Sequence, residues 1–285
     1  MKIFQLIGRV FLISLFSLLA LSCNKDDVNP SDYNNLENLP VDTGGVQSIH
    51  YLDTSLTTFG YYLYKPSGYE ANTAEYPLLV FLHGSGEKGN SMNDTTVLTK
   101  VLRNGPPKLI NKKQWNPTYP MLVASPQCHD GWWNAQKVHD FISEIIEQNR
   151  VNEDRIYLTG LSMGGFGTWS YIQTYADTGH VVAIVPICGG GNKNKVEGFL
   201  NMPVWAFHGD NDNTVSKQKS IDMVDAINAL DPPAMYKAKL TMYPGVAHNS
   251  WSRTYDGTGM GQERTDYNAF DQSIYDWFFQ YRKMN

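Results

Sequence analysis

The chain has 285 residues, of which 42% are hydrophobic and 13% aromatic, enough for one large core. Its 23 Lys and Arg against 28 Asp and Glu leave a net charge of −5, and no long basic run is present, which argues against a nucleic-acid partner. The supply of 17 Tyr and seven Trp is read first as core packing, with a few aromatics left to line a binding site.

The first 22 residues read as a secretion signal. Lys2 and Arg9 make a basic start, and Val10 to Leu21 form an apolar stretch too short for a comfortable membrane span. Ala20-Leu21-Ser22-Cys23 then resembles a bacterial lipobox, which implies cleavage before Cys23 and a lipid on its thiol. That lipid is the only membrane contact expected. Asn24-Lys25-Asp26-Asp27 resembles the short surface-export signal of some Gram-negative lipoproteins, so an outer-membrane anchor facing outward is the expectation. Residues 23–44 carry the lipidated cysteine and a segment rich in Asn, Asp, Pro and Ser, read as a tether. Residues 45–285 are read as one catalytic domain.

From residue 45 onward strand and helix signals alternate. Strands are expected at Phe59–Tyr64, Leu78–Leu82, Met121–Ala124, Ile156–Leu158, Val181–Val185, Val204–Phe207 and Leu240–Tyr243. Short unbroken apolar runs suit strands buried on both faces, as in a parallel sheet. Val138, Phe141, Ile142, Ile145 and Ile146 mark one face of a helix from about Ala135 to Arg150. Ile221, Val224, Ile227 and Leu230 mark another, and Phe270, Ile274, Trp277, Phe278 and Tyr281 the last. The fold class is therefore α/β, a mostly parallel doubly wound sheet flanked by helices. Asn249 to Asn268 is polar and contains glycine, and is read as a loop insertion beside the site. Cys128 and Cys188 end strands three positions apart, roughly 14 Å, beyond the reach of a disulfide. Both are expected to be free.

The stretch that carries chemistry is Gly160-Leu161-Ser162-Met163-Gly164-Gly165, between the apolar run Ile156-Leu158 and the helix-like Phe166–Ile172. Strand, G-x-S-x-G and helix in that order make a nucleophile elbow, the sharp turn that exposes a serine above a sheet. A serine alcohol is a weak nucleophile and needs a base. Of seven histidines, His248 sits in a loop just past the last strand, where the base belongs. His83 and His208 end strands, where their rings are expected to brace loops. The acid should follow Val204–Phe207, where Asp210 and Asp212 compete. The developing oxyanion needs preorganised N–H donors. The amide of Met163, next to the nucleophile, is one candidate, and the amide of Ser85 in His83-Gly84-Ser85-Gly86-Glu87 is the other. Gln127 and Trp133, at a strand end on the catalytic face, and Trp251, three residues after His248, are the candidate substrate-binding residues. Trp133 and Trp251 read equally well as simple loop anchors. No metal-ligand spacing, Walker-type loop or dinucleotide fingerprint is present, so neither metal nor cofactor is expected.

Taken as a set, these motifs resemble a bacterial α/β-hydrolase esterase family that groups with predicted peptidases of prolyl-oligopeptidase type and with carbohydrate esterase family one. The resemblance covers most of residues 59–281. It is carried by Tyr64-Lys65-Pro66-Ser67-Gly68-Tyr69, Val80-Phe81-Leu82-His83-Gly84-Ser85-Gly86-Glu87, Ser125-Pro126-Gln127-Cys128 with Trp132-Trp133, and the elbow. Ile184-Val185-Pro186-Ile187-Cys188-Gly189-Gly190 and Pro203-Val204-Trp205-Ala206-Phe207-His208-Gly209 complete it. The family form H-G-x-x-D-x-x-V places the acid at Asp212. The resemblance implies a secreted serine esterase acting on acetylated or feruloylated plant polysaccharide. A serine peptidase and a non-catalytic glycan-binding lipoprotein on the same scaffold are the alternatives.

Overall fold

The computed structural model describes residues 36–283; the stretches read as a secretion signal and an export signal, with Cys23, lie outside them. An eight-stranded sheet runs through the molecule: β1 (Val46–His50), β2 (Gly60–Lys65), β3 (Tyr76–Leu82), β4 (Leu122–Gln127), β5 (Val151–Leu161), β6 (Ala183–Ile187), β7 (Trp205–Gly209) and β8 (Lys239–Tyr243). Their spatial order is β1-β2-β4-β3-β5-β6-β7-β8. Strands β4 through β8 pair in parallel, whereas β1 and β2 add antiparallel at one edge. This is the α/β-hydrolase fold expected from the sequence, with a short mixed edge. Strand β1 carries no apolar run to announce it; Val46, Gln47, Ser48, Ile49 and His50 are all at least partly exposed, as suits an edge strand.

The central strands are apolar on both faces because helices cover both. β3 is buried along its whole length. Helix α2 (Ala135–Gln148) starts where the Asn134 side chain accepts from the amide of Lys137, and buries Val138, Phe141, Ile142 and Ile145. Helix α3 (Met163–Tyr175) packs against β5 and β6 and buries Trp169, Tyr171 and Ile172. Helix α4 (Gln218–Asn228) buries Met223, Val224 and Ile227. Ser273 caps the last helix (Ile274–Phe279), which buries Trp277 and Phe278. Phe270 lies ahead of that helix and packs edge-on against Trp205 and Phe207. A short helix, α1 (Gly105–Asn111), led in by a 3-10 segment from Thr95 to Arg103, is not signalled by any apolar period in the sequence.

Two expectations change. The segment read as a tether is in part folded: Leu36 and Leu39 are buried in the main core, and Asp42 accepts from the Tyr64 hydroxyl and the Ser67 amide. The Asn249–Asn268 segment is not a surface loop throughout. It contains a helical turn, Trp251–Tyr255, whose Thr254 and Tyr255 are buried. Their hydroxyls meet those of Tyr243 and Thr159 at 3.0 and 2.9 Å. Polar residues that satisfy one another can be buried, which a reading based on polarity misses.

Glycine is required where the elbow turns. A Cβ on Gly164 would stand 1.9 Å from the carbonyl oxygen of Leu82, and one on Gly160 would stand 2.3 Å from that of Gly164. Both obstacles are backbone. Gly164→Ala should therefore cost about 3 kcal/mol or more, read as a lower urea midpoint with an unchanged slope.

Candidate active site

The elbow places Ser162 at the C-terminal end of β5, between the strand and helix α3. Its backbone has φ 53° and ψ −117°, a conformation costly for a residue with a Cβ, of order 1–3 kcal/mol. Two backbone bonds hold it there. The Ser162 amide donates to the Ile187 carbonyl at 2.9 Å, and the Phe166 amide donates to the Ser162 carbonyl at 3.0 Å.

His248 and Asp212 arrive from the loops after β8 and β7. Ser162 Oγ lies 2.9 Å from His248 Nε2, and His248 Nδ1 lies 2.7 Å from Asp212 Oδ2. The three candidate residues, 86 and 36 positions apart in sequence, thus form one hydrogen-bonded line. Asp212 Oδ1 accepts from the amides of Thr214 and Val215 at 2.8 and 2.9 Å. Burial alone would raise the pKa of Asp212. The bonds from His248, Val215 and Thr214 outweigh it and hold the carboxyl below its ordinary value.

The rival Asp210 faces elsewhere. Its carboxylate accepts from the Gly245 amide at 2.6 Å and from Arg264 at 3.2 Å, tying the β7 and β8 loops together.

The two candidate oxyanion amides begin helical turns, where N–H groups lack intrahelical partners. Met163 opens α3, and Ser85 opens the 3-10 turn Ser85–Glu87. That turn lies against the nucleophile: a Cβ built on Gly84 would be 3.6 Å from Cβ of Ser162. The His83 ring holds the turn in place. Nδ1 lies 2.6 Å from the Gly84 carbonyl oxygen, and Nε2 accepts from the Cys128 amide at 2.9 Å. The loop-bracing role expected for His83 is what the geometry shows.

Burial lowers the pKa of His83 from 6.5 to about 4. Between those values the unfolded chain takes up a proton that the folded one refuses, so stability falls as pH drops from 6.5 toward 4. The loss approaches about 3 kcal/mol from this ring alone. Urea midpoints at pH 7.5 and 4.5 should show the decline, and His83→Gln should flatten it.

The candidate substrate-binding residues separate. Trp133 is only 3% exposed; its indole N–H donates to the His83 carbonyl at 3.0 Å and its ring packs against His83 and Phe59. It is an anchor of the loop, not a wall of a pocket. Gln127 is buried too, and its side-chain N–H donates to the carbonyls of Glu87 and Val97, so it braces the serine-side turn, while its Oε1 is buried without a partner. The exposed member of the pair is Trp132, beside Phe166. Trp251 stands at the site with its ring edge-on to His248 and its N–H donating to Asn104 Oδ1 at 3.0 Å. Asn104 in turn donates to the buried carboxylate of Glu87. No residue pattern announced this bridge from the serine-side turn to the histidine loop.

Cys128 and Cys188 are free and buried. The Cys188 thiol lies under the site: with Asp212 and His248 it forms the one group of three potential metal donors among the described residues. Burial pushes that thiol up to about 12.

A serine in a strand-to-helix turn, a histidine within reach of its hydroxyl and two amides at the starts of helical turns form an arrangement suited to acyl transfer. The sequence profile of the phospholipase/carboxylesterase family matches residues 69–256, a span running from the end of β2 to the helical turn after His248. The chain belongs to the phospholipase/carboxylesterase family. A bifunctional acetylxylan esterase/xylanase from Neocallimastix patriciarum is similar to this family member, 24% identical over 160 residues. That match covers 55% of this chain and 22% of the relative, so the chain spans about a fifth of the curated protein's length. The crystal structure of a thermostable esterase superposes with a TM-score of 0.60 and 26% identity, covering 85% of this chain and 64% of that one. The feruloyl esterase module from Clostridium thermocellum, complexed with sinapinate, shares the fold at a TM-score of 0.50 and 17% identity, over 77% of this chain and 86% of that one.

Proposed function

We propose that this family member is a serine carboxylic-ester hydrolase that removes acetyl or feruloyl (hydroxycinnamoyl) groups from plant polysaccharides or oligosaccharides, with Ser162, His248 and Asp212 as its triad. The observation that carries the chemistry is the unbroken line from Ser162 Oγ through His248 to Asp212, at 2.9 and 2.7 Å. The substrate class rests on the acetylxylan esterase relative and the feruloyl esterase fold neighbour. Ser162 Oγ attacks the ester carbonyl carbon while Nε2 of His248 takes the hydroxyl proton. The amides of Met163 and Ser85 hold the oxyanion. Collapse of the tetrahedral species breaks the bond to the sugar oxygen, which leaves with the proton from His248. Water then attacks the acyl-serine, His248 takes its proton and returns it to Ser162, and the carboxylic acid departs. Asp212 keeps Nδ1 protonated so that Nε2 is free to accept.

The lipobox-like Cys23 supports an enzyme tethered to the outer membrane and displayed outward. Protease shaving of intact cells should release it; complete protection would rule out display.

The test of activity is a panel of p-nitrophenyl acetate, acetylated xylan, feruloylated arabinoxylan and peptide amides with purified residues 24–285. Ester cleavage without amide cleavage is expected. Peptide hydrolysis at a comparable rate would favour the peptidase, and inertness toward all four would remove the enzymatic reading.

A further inference from the structure

The carboxylate that faces His248 has a second histidine on it. His208, in β7, is fully buried. Its Nε2 lies 3.2 Å from Asp212 Oδ2, the oxygen that also bonds His248, and 3.0 Å from the Val215 carbonyl oxygen. A carbonyl oxygen only accepts, so Nε2 carries the hydrogen. With the hydrogen on Nε2, Nδ1 accepts from the hydroxyl of Ser220 on α4 at 2.8 Å. The ring is thus fixed on both sides, between the acid loop and α4. Burial, against the opposing pull of Val215 and Asp212, lowers its pKa and keeps it neutral. The titratable groups that face it are Asp212 from its own loop and His248 from the loop after β8; α4 presents only the neutral Ser220.

Asp212 accepts three hydrogen bonds, and His208 Nε2 stands beside it as a longer, 3.2 Å contact. Thr214 and Val215 amides meet Oδ1, and the two histidines meet Oδ2. We propose that His208 is a positioning residue of the Ser162–His248–Asp212 site: its Nε2–H, shared between the Val215 carbonyl and Asp212 Oδ2, steadies the acid and its loop and so sets both the orientation of Asp212 and the strength of its pull on His248. The inference rests on the reading of those three residues as a triad. Each donor to a carboxylate stabilises the anion and weakens its hold on a neighbouring proton. Without the His208 donor, Asp212 binds the imidazolium more strongly, and the base is released for catalysis only at higher pH.

The test compares pH profiles of p-nitrophenyl acetate hydrolysis for the wild type, His208→Met, His208→Gln and Asp212→Asn. Methionine keeps bulk but has no donor, whereas the glutamine amide retains an N–H. For His208→Met, kcat should fall about tenfold with KM within about twofold. The acid limb of kcat/KM should move up by about 0.5 pH unit. His208→Gln should restore most of the rate and the limb. A folded His208→Met with an unmoved limb, or a His208→Gln as impaired as His208→Met, overturns the proposal. If His208→Met does not fold, the imidazole resonances of the wild type decide. A His208 Nε2–H signal that shifts in Asp212→Asn supports the contact, and an Nδ1–H tautomer or an unshifted signal overturns it. An Asp212→Asn variant at the wild-type rate would sink the triad reading instead, and is distinguishable for that reason.

Discussion

Ser162→Ala is expected to lower kcat for p-nitrophenyl acetate by about 10⁵–10⁶-fold while leaving the fold intact. In the proposed mechanism the Ser162 hydroxyl bonds to the acyl carbon, and Ser85 lies in a 3-10 turn rather than at a strand-to-helix elbow. Stability should change little, because alanine keeps the Cβ and hence the same backbone strain at φ 53°. His248→Ala should cost nearly as much. The double variant Ser162→Ala/His248→Ala should be no slower than either single one, because the two groups act as a unit. Activity assays paired with thermal melts check this. Losses that multiply would mean that the serine and histidine act independently, against the 2.9 Å contact between them.

The two aspartates after β7 separate the mechanism further. Asp212→Asn is expected to reduce kcat about 10³–10⁴-fold. The amide would present N–H toward His248 Nδ1, drive the ring to the other tautomer and place a hydrogen on Nε2, where a lone pair is needed. Asp210→Asn should stay within about threefold, since Asn keeps an acceptor for the Gly245 amide and loses mainly an exposed ion pair with Arg264. Steady-state kinetics of the two proteins, each confirmed folded, make the comparison. If Asp210→Asn were the more damaging, the acid would be misassigned.

The residues that could be read in advance share a property. Ser162, Met163 and the flanking glycines belong to one continuous stretch whose local geometry is imposed by backbone contact, so their pattern survives in the sequence. His248 and Asp212 follow apolar strand runs, and strand order places both loops at one end of the sheet. Of the two readings of Trp133 the structure shows the loop anchor, and Gln127 likewise braces a turn. Position at a strand end says which end of the sheet a residue occupies, but not whether it points to the ligand or back to the chain. Both point back and hold the turn bearing Ser85. The helical turn at Trp251–Tyr255 was hidden because its polar side chains are buried in pairs.

The amino-acid sequence alone determined the α/β class, the seven strands that carry apolar runs, the elbow serine and the loops that supply its partners. Each follows from contacts between near neighbours or from a period that any buried strand or helix must show. Spacing alone left Asp210 and Asp212 open and only the family form pointed to Asp212; the tertiary structure sets Asp212 against His248, carries Trp251 across to Asn104 and brings His208 within 3.2 Å of the acid. Those are choices of side-chain direction among residues a few ångströms apart. They are settled by which loop packs against which, a property of the assembled sheet that no local stretch of chain contains.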